Sequence, residues 1–154
     1  MLSWDCNMEL GVRTIDAQHK RLIDFMNLIN NARSGKLDLI ITNKMVATLR
    51  TLFQQHFLHE EDLMFGVRYP EANQHMLEHS TMLNTFDAIA IEFEKTGDTS
   101  TVLTFVTNWI FAHFKNEDSD LVAFIKKLKE SKAKSAKPHM RPPAPPQAVR
   151  AMKW

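Results

Sequence analysis

The sequence predicts an all-α protein: an up-down-up-down four-helix bundle with an N-terminal arm, a short C-terminal helix and a disordered tail. Three observations predict this class. The 154 residues include only 4 Gly, five of the 6 Pro lie beyond residue 137, and apolar residues recur at steps of three and four through the body. One buried core suits this length. We place one helical domain at residues 1–130 and a basic, Pro-rich tail at residues 131–154.

The first dozen residues lack a helical period and are predicted to form an arm anchored by Trp4. The first helix is expected to start with Thr14 or Asp16 as its N-cap and to end near Ser34 and Gly35. His19 lies on its apolar stripe.

The second and third helices each carry two metal-ligand side chains on an inward stripe. Asp38 is predicted to cap the second helix, which ends at Gly66, and Pro70 and Gly97 bound the third. Side chains four residues apart on a helix are separated by only about 40° of rotation, so each pair faces one way. The pairs are His56 with Glu60 and His75 with His79.

The fourth helix is expected to be capped by Thr99 or Ser100, with His113 facing inward. After Lys115 the chain is polar through residues 116–120 before a second apolar run. This change predicts a kink or break, followed by the short C-terminal helix.

The charge is unevenly divided. The body carries 13 basic and 18 acidic residues, which disfavours a nucleic-acid partner, whereas the tail carries six basic residues and no acidic one. A solvated tail without a binding function is favoured over a tail that tethers the protein to an acidic partner or a membrane surface. The lone Cys6 fits a reducing compartment, and no segment is apolar enough to span a bilayer. We therefore expect a cytoplasmic protein, and a monomer.

The up-down topology should bring the candidate ligands to one end of the bundle. These are His19, His56, Glu60, His75, His79 and His113. A single inward histidine is most often ordinary core, but five buried imidazoles without a metal would be costly to desolvate. Histidine with carboxylate favours iron, zinc or manganese, and five imidazoles exceed the needs of one zinc. Two metal ions are predicted.

Four motifs together resemble the bacterial hemerythrins, from residue 4 to about residue 125. They are Asp16-Ala17-Gln18-His19; His56-Phe57-x-x-Glu60-Glu61-x-x-Met64; Tyr69-Pro70 before His75-x-x-x-His79; and Trp109-x-x-x-His113-x-x-x-x-Asp118. The resemblance implies a non-haem di-iron centre, oxo- or hydroxo-bridged, that binds dioxygen reversibly for storage, delivery or sensing.

The resemblance also implies a division of the ligands. By matched position, one iron takes His75, His79 and His113, the other takes His19 and His56, and the bridges are Glu60 and Asp118. Two octahedral irons offer about twelve positions, of which these ligands and the oxygen bridge fill about eleven. The open position is on the iron with two histidines, so we expect an oxygen-binding protein and not an enzyme.

The choice of Asp118 and the positions of the oxygen pocket depend on the resemblance alone. Regular helical geometry favours Glu117, four residues after His113, whereas the family pattern selects Asp118. Glu61 is expected to be a solvated or supporting carboxylate, and His59 to be exposed. The matched positions of the oxygen pocket, which ordinary core packing would also explain, are Leu22, Phe57, Trp109 and Phe114, the last commonly a branched aliphatic residue in the family.

Two other classes of function remain open. A di-iron oxidase or peroxidase of the ferritin-like kind uses mostly carboxylates with Glu-x-x-His steps, so a histidine-rich site favours binding over turnover. Iron or nitric oxide handling by the same site is not separated from oxygen binding by the sequence.

Overall fold

A computed structural model of the chain describes residues 2–34 and 38–135, within which all regular structure is helical. In chain order, the elements are a 3₁₀ turn (Cys6–Met8), helix α1 (Arg13–Ser34), helix α2 (Leu39–Val67), helix α3 (Ala72–Thr96), helix α4 (Thr99–His113), a π-helical turn (Phe114–Asp118) and helix α5 (Ser119–Ser135). The predicted bundle, arm and C-terminal helix are confirmed. Helix α5 continues five residues past Glu130, and the rest of the predicted tail lies outside the described residues.

The four long helices pack in the order that short connections impose. Helix α1 packs on α2, α2 on α3, α3 on α4, and α4 returns to α1. The core between them is apolar over most of its length, with Ile29, Phe53, Phe86 and Val106 almost completely buried. Among the described helices, none combines the length and the apolar character needed to cross a membrane.

Two of the predicted helix boundaries are confirmed and a third is displaced. The Asp38 side chain caps α2, and Gly97 ends α3 in the left-handed conformation, with φ of 70°. Helix α4 is capped one residue earlier than expected. Its N-cap is Asp98, whose carboxylate accepts the N–H of Ser100, and Thr99 is the first helical residue.

The arm is held to α1 by an acidic side chain expected to act as an N-cap. Helix α1 begins at Arg13, so Thr14 and Asp16 lie within its first turn. The Asp16 carboxylate accepts the backbone N–H groups of Leu10 and Gly11 at 2.7 and 3.0 Å. The arm is therefore fixed against the end of the bundle at which His19 lies.

The end of α2 differs from the prediction at Gly66. The helix passes through Gly66, and its left-handed C-cap is Arg68, with φ of 54° and ψ of 53°. The Arg68 N–H closes the helix on the carbonyl oxygens of Met64 and Phe65. A side chain in this conformation carries a steric cost that glycine avoids.

Replacing Arg68 with glycine should therefore stabilise the protein by about 0.5–1 kcal/mol, the steric gain less the added chain entropy of glycine. Urea denaturation of R68G measures the change, and R68A is the matched control because it keeps the Cβ atom. Equal stabilisation of both variants would show that loss of the arginine charge, and not relief of backbone strain, is the cause.

Candidate metal centre

The seven side chains predicted as ligands lie together at one end of the bundle. Each is at most 3% exposed, and the set comprises His19, His56, Glu60, His75, His79, His113 and Asp118. Helices α1, α2, α3 and α4 each contribute, because the alternating direction of the bundle brings the relevant turns to one level. Asp118 comes from the π-helical turn.

The ligand atoms form two groups. His75, His79 and His113, the three-histidine half, gather with Glu60 and Asp118, and the atoms of this group lie within 4.8 Å of one another. His19 and His56, the two-histidine half, gather with the same two carboxylates within the same limit. Both carboxylates therefore belong to both groups.

The nitrogen atoms of the three-histidine half converge on one point. His113 Nε2 lies 3.1 Å from His75 Nε2 and 3.2 Å from His79 Nε2. Nitrogen ligands at right angles around one ion, each about 2.1 Å from it, would lie about 3.0 Å apart. The spacing fits a metal ion at the centre.

Asp118 faces both halves with different oxygen atoms. Its Oδ1 lies 3.1 Å from His113 Nε2 and 3.3 Å from His75 Nε2. Its Oδ2 lies 3.1 Å from His19 Nε2. One carboxylate oxygen is thus available to each group.

Glu60 reaches the two halves through a single oxygen atom. Its Oε2 lies 3.4 Å from His79 Nε2 and 3.5 Å from His56 Nε2. The second oxygen, Oε1, is equally buried and has no hydrogen-bond partner among the described residues, so it is also available as a ligand atom.

The π-helical turn explains why Asp118, and not Glu117, lies inward. On a regular α-helix a step of five residues from His113 is about 140° round the axis. A π-helical turn is wider, with bonds from residue i to i+5, so the fifth residue returns to the same face. The expected kink or break is in fact this turn, which joins α4 to α5 without interruption.

Burial favours the neutral form of three of the imidazoles, those of His19, His56 and His79. It lowers the pKa of His56 to about 3 and that of His79 to about 2, and it lowers the pKa of His19 as well. Neutral imidazole is the form that binds metal ions. The site therefore needs no deprotonation at these histidines before a cation binds.

The pKa values of the two shared carboxylates, Glu60 and Asp118, are shifted in opposite directions. Burial, followed by the charge of Asp118, raises the pKa of Glu60 well above its usual value. Burial opposes ionisation of Asp118 as well, but its contacts with His113, His19 and His75 outweigh this cost and lower its pKa well below the usual range. A cation between the two carboxylates would offset the charge of Asp118 that disfavours ionisation of Glu60.

Many polar atoms of the site have no hydrogen-bond partner within the described part of the chain. They are both carboxylate oxygens of Glu60, both of Asp118, and the Nε2 atoms of His19 and His56. Buried polar atoms are rarely left unpaired, because each costs free energy. These residues fit metal ions, which would use all six atoms as ligand positions.

Aromatic rings cover the site on both halves. Three of the predicted pocket residues stack on ligand imidazoles, at centroid distances of 3.3, 3.9 and 4.2 Å: Phe114 on His19, Phe57 on His79 and Trp109 on His113. Leu22 is buried, and with His56 it lines a cavity of about 30 Å³. The four residues predicted to line the oxygen pocket are therefore divided between the three-histidine half and the two-histidine half.

Sequence reasoning gave no definite role to several polar side chains on the outer side of the ligands. Glu61 approaches the Nδ1 atom of His79, and Glu78 and Glu117 approach that of His113. On the other half, Gln18 approaches His56. The four-residue spacing from His113 indicated that Glu117 could lie near that histidine. For the other side chains, being next to a ligand in the sequence does not indicate which way they point. His59, expected to be exposed, is partly buried and contacts Thr14.

Replacing Asp118 should remove more metal than replacing Glu117. Because Asp118 belongs to both groups, D118A should lose about half or more of its bound metal, while E117A should keep nearly all of it. Elemental analysis of the purified variants measures metal per chain. Greater loss from E117A would mean that Glu117 is the ligand in solution.

Comparison with known proteins agrees with this geometry. The model of the hemerythrin HHE cation binding domain matches residues 10–125. A bacteriohemerythrin of Pseudomonas paraeruginosa is 28% identical over 122 residues, which cover 79% of each chain. One of Clostridium acetobutylicum is 27% identical over 79% of this chain and 99% of its own, and one of Campylobacter jejuni is 29% identical over 71% and 84%. The family model spans most of the chain, and the protein belongs to the hemerythrin family.

Proposed function

We propose that this protein binds two non-haem iron ions and reversibly binds dioxygen at that centre, in oxygen storage, delivery or sensing. One observation carries the proposal. Two groups of buried ligand atoms, one with three imidazoles and one with two, share both of their carboxylates. A single ion would use only one of these groups, whereas two ions use all seven residues. Family membership and the histidine-rich ligand set favour iron.

In this proposal the three-histidine half holds one iron, the two-histidine half holds the other, and Glu60 and Asp118 bridge them. The two Asp118 oxygens, which face different halves, support the bridging role. When bound, the iron pair supplies the electrons that reversible oxygen binding requires.

The protein's own contribution is to keep the centre dry and its ligands fixed. Phe114 covers His19, and Phe57 and Trp109 cover the three-histidine half. These rings exclude water and anions that would promote irreversible oxidation of the metal. The two-histidine half has fewer imidazole ligands, and the small cavity beside Leu22 and His56 lies on that side.

The histidine content favours binding over turnover. Five imidazoles and two shared carboxylates leave few positions on the metal ions for a substrate in addition to oxygen. An oxidase or peroxidase would need such positions. We therefore propose an oxygen-binding protein rather than an enzyme.

An optical titration tests the proposal. Iron-loaded protein reduced with dithionite is titrated with oxygen and then flushed with argon. A visible band that forms with oxygen and is lost on flushing, with two irons per chain throughout, is the expected result. Rapid irreversible oxidation that consumes reductant would instead indicate an oxidase or peroxidase, and retention of a single iron would contradict the di-iron centre.

Phe114 should control access to the two-histidine half. It lines a cavity of about 410 Å³ between the arm and the junction of α4 with α5, and its ring stacks on the imidazole of His19. Leucine at this position leaves a gap, so F114L should bind oxygen several-fold faster and also oxidise irreversibly faster. Stopped-flow spectroscopy and the decay of the oxygenated form measure the two rates.

Phe111 provides the matched control, because it lines the same cavity without stacking on a ligand imidazole among the described ring contacts. F111L should leave both rates nearly unchanged. Equal acceleration in the two variants would mean that the cavity, and not the Phe114 ring, limits access.

A further inference from the structure

The outer nitrogen of His79 contacts a carboxylate. His79 Nε2 faces the cluster, and its Nδ1 lies 3.1 Å from Glu61 Oε1. An ionised carboxylate only accepts hydrogen bonds, so this contact requires the proton to be on Nδ1. Glu61 therefore fixes the tautomer in which Nε2 is free to bind metal.

The outer nitrogen of His113 lies between two further carboxylates. Its Nδ1 is 3.7 Å from Glu78 Oε2 and 3.6 Å from Glu117 Oε2. These distances exceed a hydrogen bond, so the two glutamates act here through their charge. Glu61, Glu78 and Glu117, hereafter the outer glutamates, have side chains only 21%, 35% and 28% exposed, which limits solvent screening of that charge.

The two-histidine half has no matching set of carboxylates among the described residues. His56 Nδ1 contacts the neutral amide of Gln18 at 3.3 Å, and His19 Nδ1 has no hydrogen-bond partner in the same part of the structure. Asp16 acts on His19 through its charge, but it is a single carboxylate, and its two oxygen atoms accept the N–H groups of Leu10 and Gly11. His75 in the three-histidine half also lacks an Nδ1 partner, so the asymmetry comes from His79 and His113.

This arrangement makes the two metal positions electrostatically unequal. A carboxylate that accepts the outer N–H of a ligating histidine increases the basicity of the nitrogen bound to the metal, and nearby negative charge favours the more highly charged oxidation state. Both effects act on the three-histidine half.

We propose that the outer glutamates are positioning residues that make the iron of the three-histidine half the more easily oxidised of the pair, an inference that rests on the proposed di-iron site. A one-electron oxidant such as ferricyanide then takes its electron from this iron and is reduced to ferrocyanide. The iron of the two-histidine half, where oxygen is proposed to bind, keeps its electron.

Spectroelectrochemistry of the iron-loaded protein tests this assignment. The E61Q variant should raise the first of the two midpoint potentials, because the amide removes the negative charge. We expect about a tenfold change in the equilibrium constant, which is 59 mV for one electron. Mössbauer spectra of the half-oxidised protein should show one ferric and one ferrous site. The isomer shifts of the two sites should lie closer together in E61Q.

Two matched variants separate this role from general effects of charge or folding. Q18E adds a carboxylate beside His56 in the other half, so it should lower the second midpoint potential and narrow the gap between the two. E94Q removes one negative charge from an exposed position near the far end of α3, about 22 Å along the helix from His79, and should change neither potential.

A metal substitution gives a readout independent of redox chemistry. In zinc-loaded protein, ¹⁵N NMR should show that His79 is protonated at Nδ1. The carboxylate should strongly change the chemical shift of the Nδ1–H proton in the unmodified chain, and the amide of E61Q should change it less. An E61D variant should restore the shift in part.

The outcomes are distinct. With two irons per chain retained, equal midpoint potentials in E61Q, E94Q and the unmodified protein would overturn the role of the outer glutamates and leave the proposed function intact. Failure of the unmodified protein to hold two irons would contradict the di-iron centre, and this inference with it.

Discussion

The burial of five imidazoles and two carboxylates at one end of an otherwise apolar bundle is the constraint on which the rest of the structure depends. Their ligand atoms are almost inaccessible to water, and most of the inward-facing ones lack partners in hydrogen-bond geometry among the described residues. Such a cluster is costly unless cations occupy it. The remaining core must therefore be stable enough to hold these side chains in place, and the continuous apolar packing from Ile29 to Phe86 provides this stability.

The general architecture and the clustering of six candidate ligands could be predicted because they depend on spacing. Stripes of period 3.6 gave the four helices, and alternating helix direction put six candidate ligands at one level. Helix ends were harder to predict, because several neighbouring residues can cap and local packing decides among them. Asp98 replaced the expected Thr99 or Ser100, and Arg68 adopts a left-handed conformation more usual for glycine.

The position of Asp118 could not be derived from regular geometry. The π-helical turn adds about one residue to the turn, and this shift decides between two adjacent acidic residues. The family resemblance supplied the register that helical periodicity did not. The same shift leaves Glu117 outside, where it lies beside His113 Nδ1. One local irregularity thus provides both an inward carboxylate shared by the two halves and an outward one that faces only the three-histidine half.

The two halves of the centre have different surroundings because they lie against different parts of the chain. The two-histidine half is covered by Phe114 and the fixed arm, while the three-histidine half lies beneath turns of α2, α3 and the π-helical turn that carry half-buried glutamates. An oxygen-binding site needs a dry, apolar surface, whereas a site that stabilises positive charge needs nearby carboxylates. These demands conflict at a single ion. In the proposed di-iron centre, two ions that share Glu60 and Asp118 would let each demand be met on a separate side of one buried cluster.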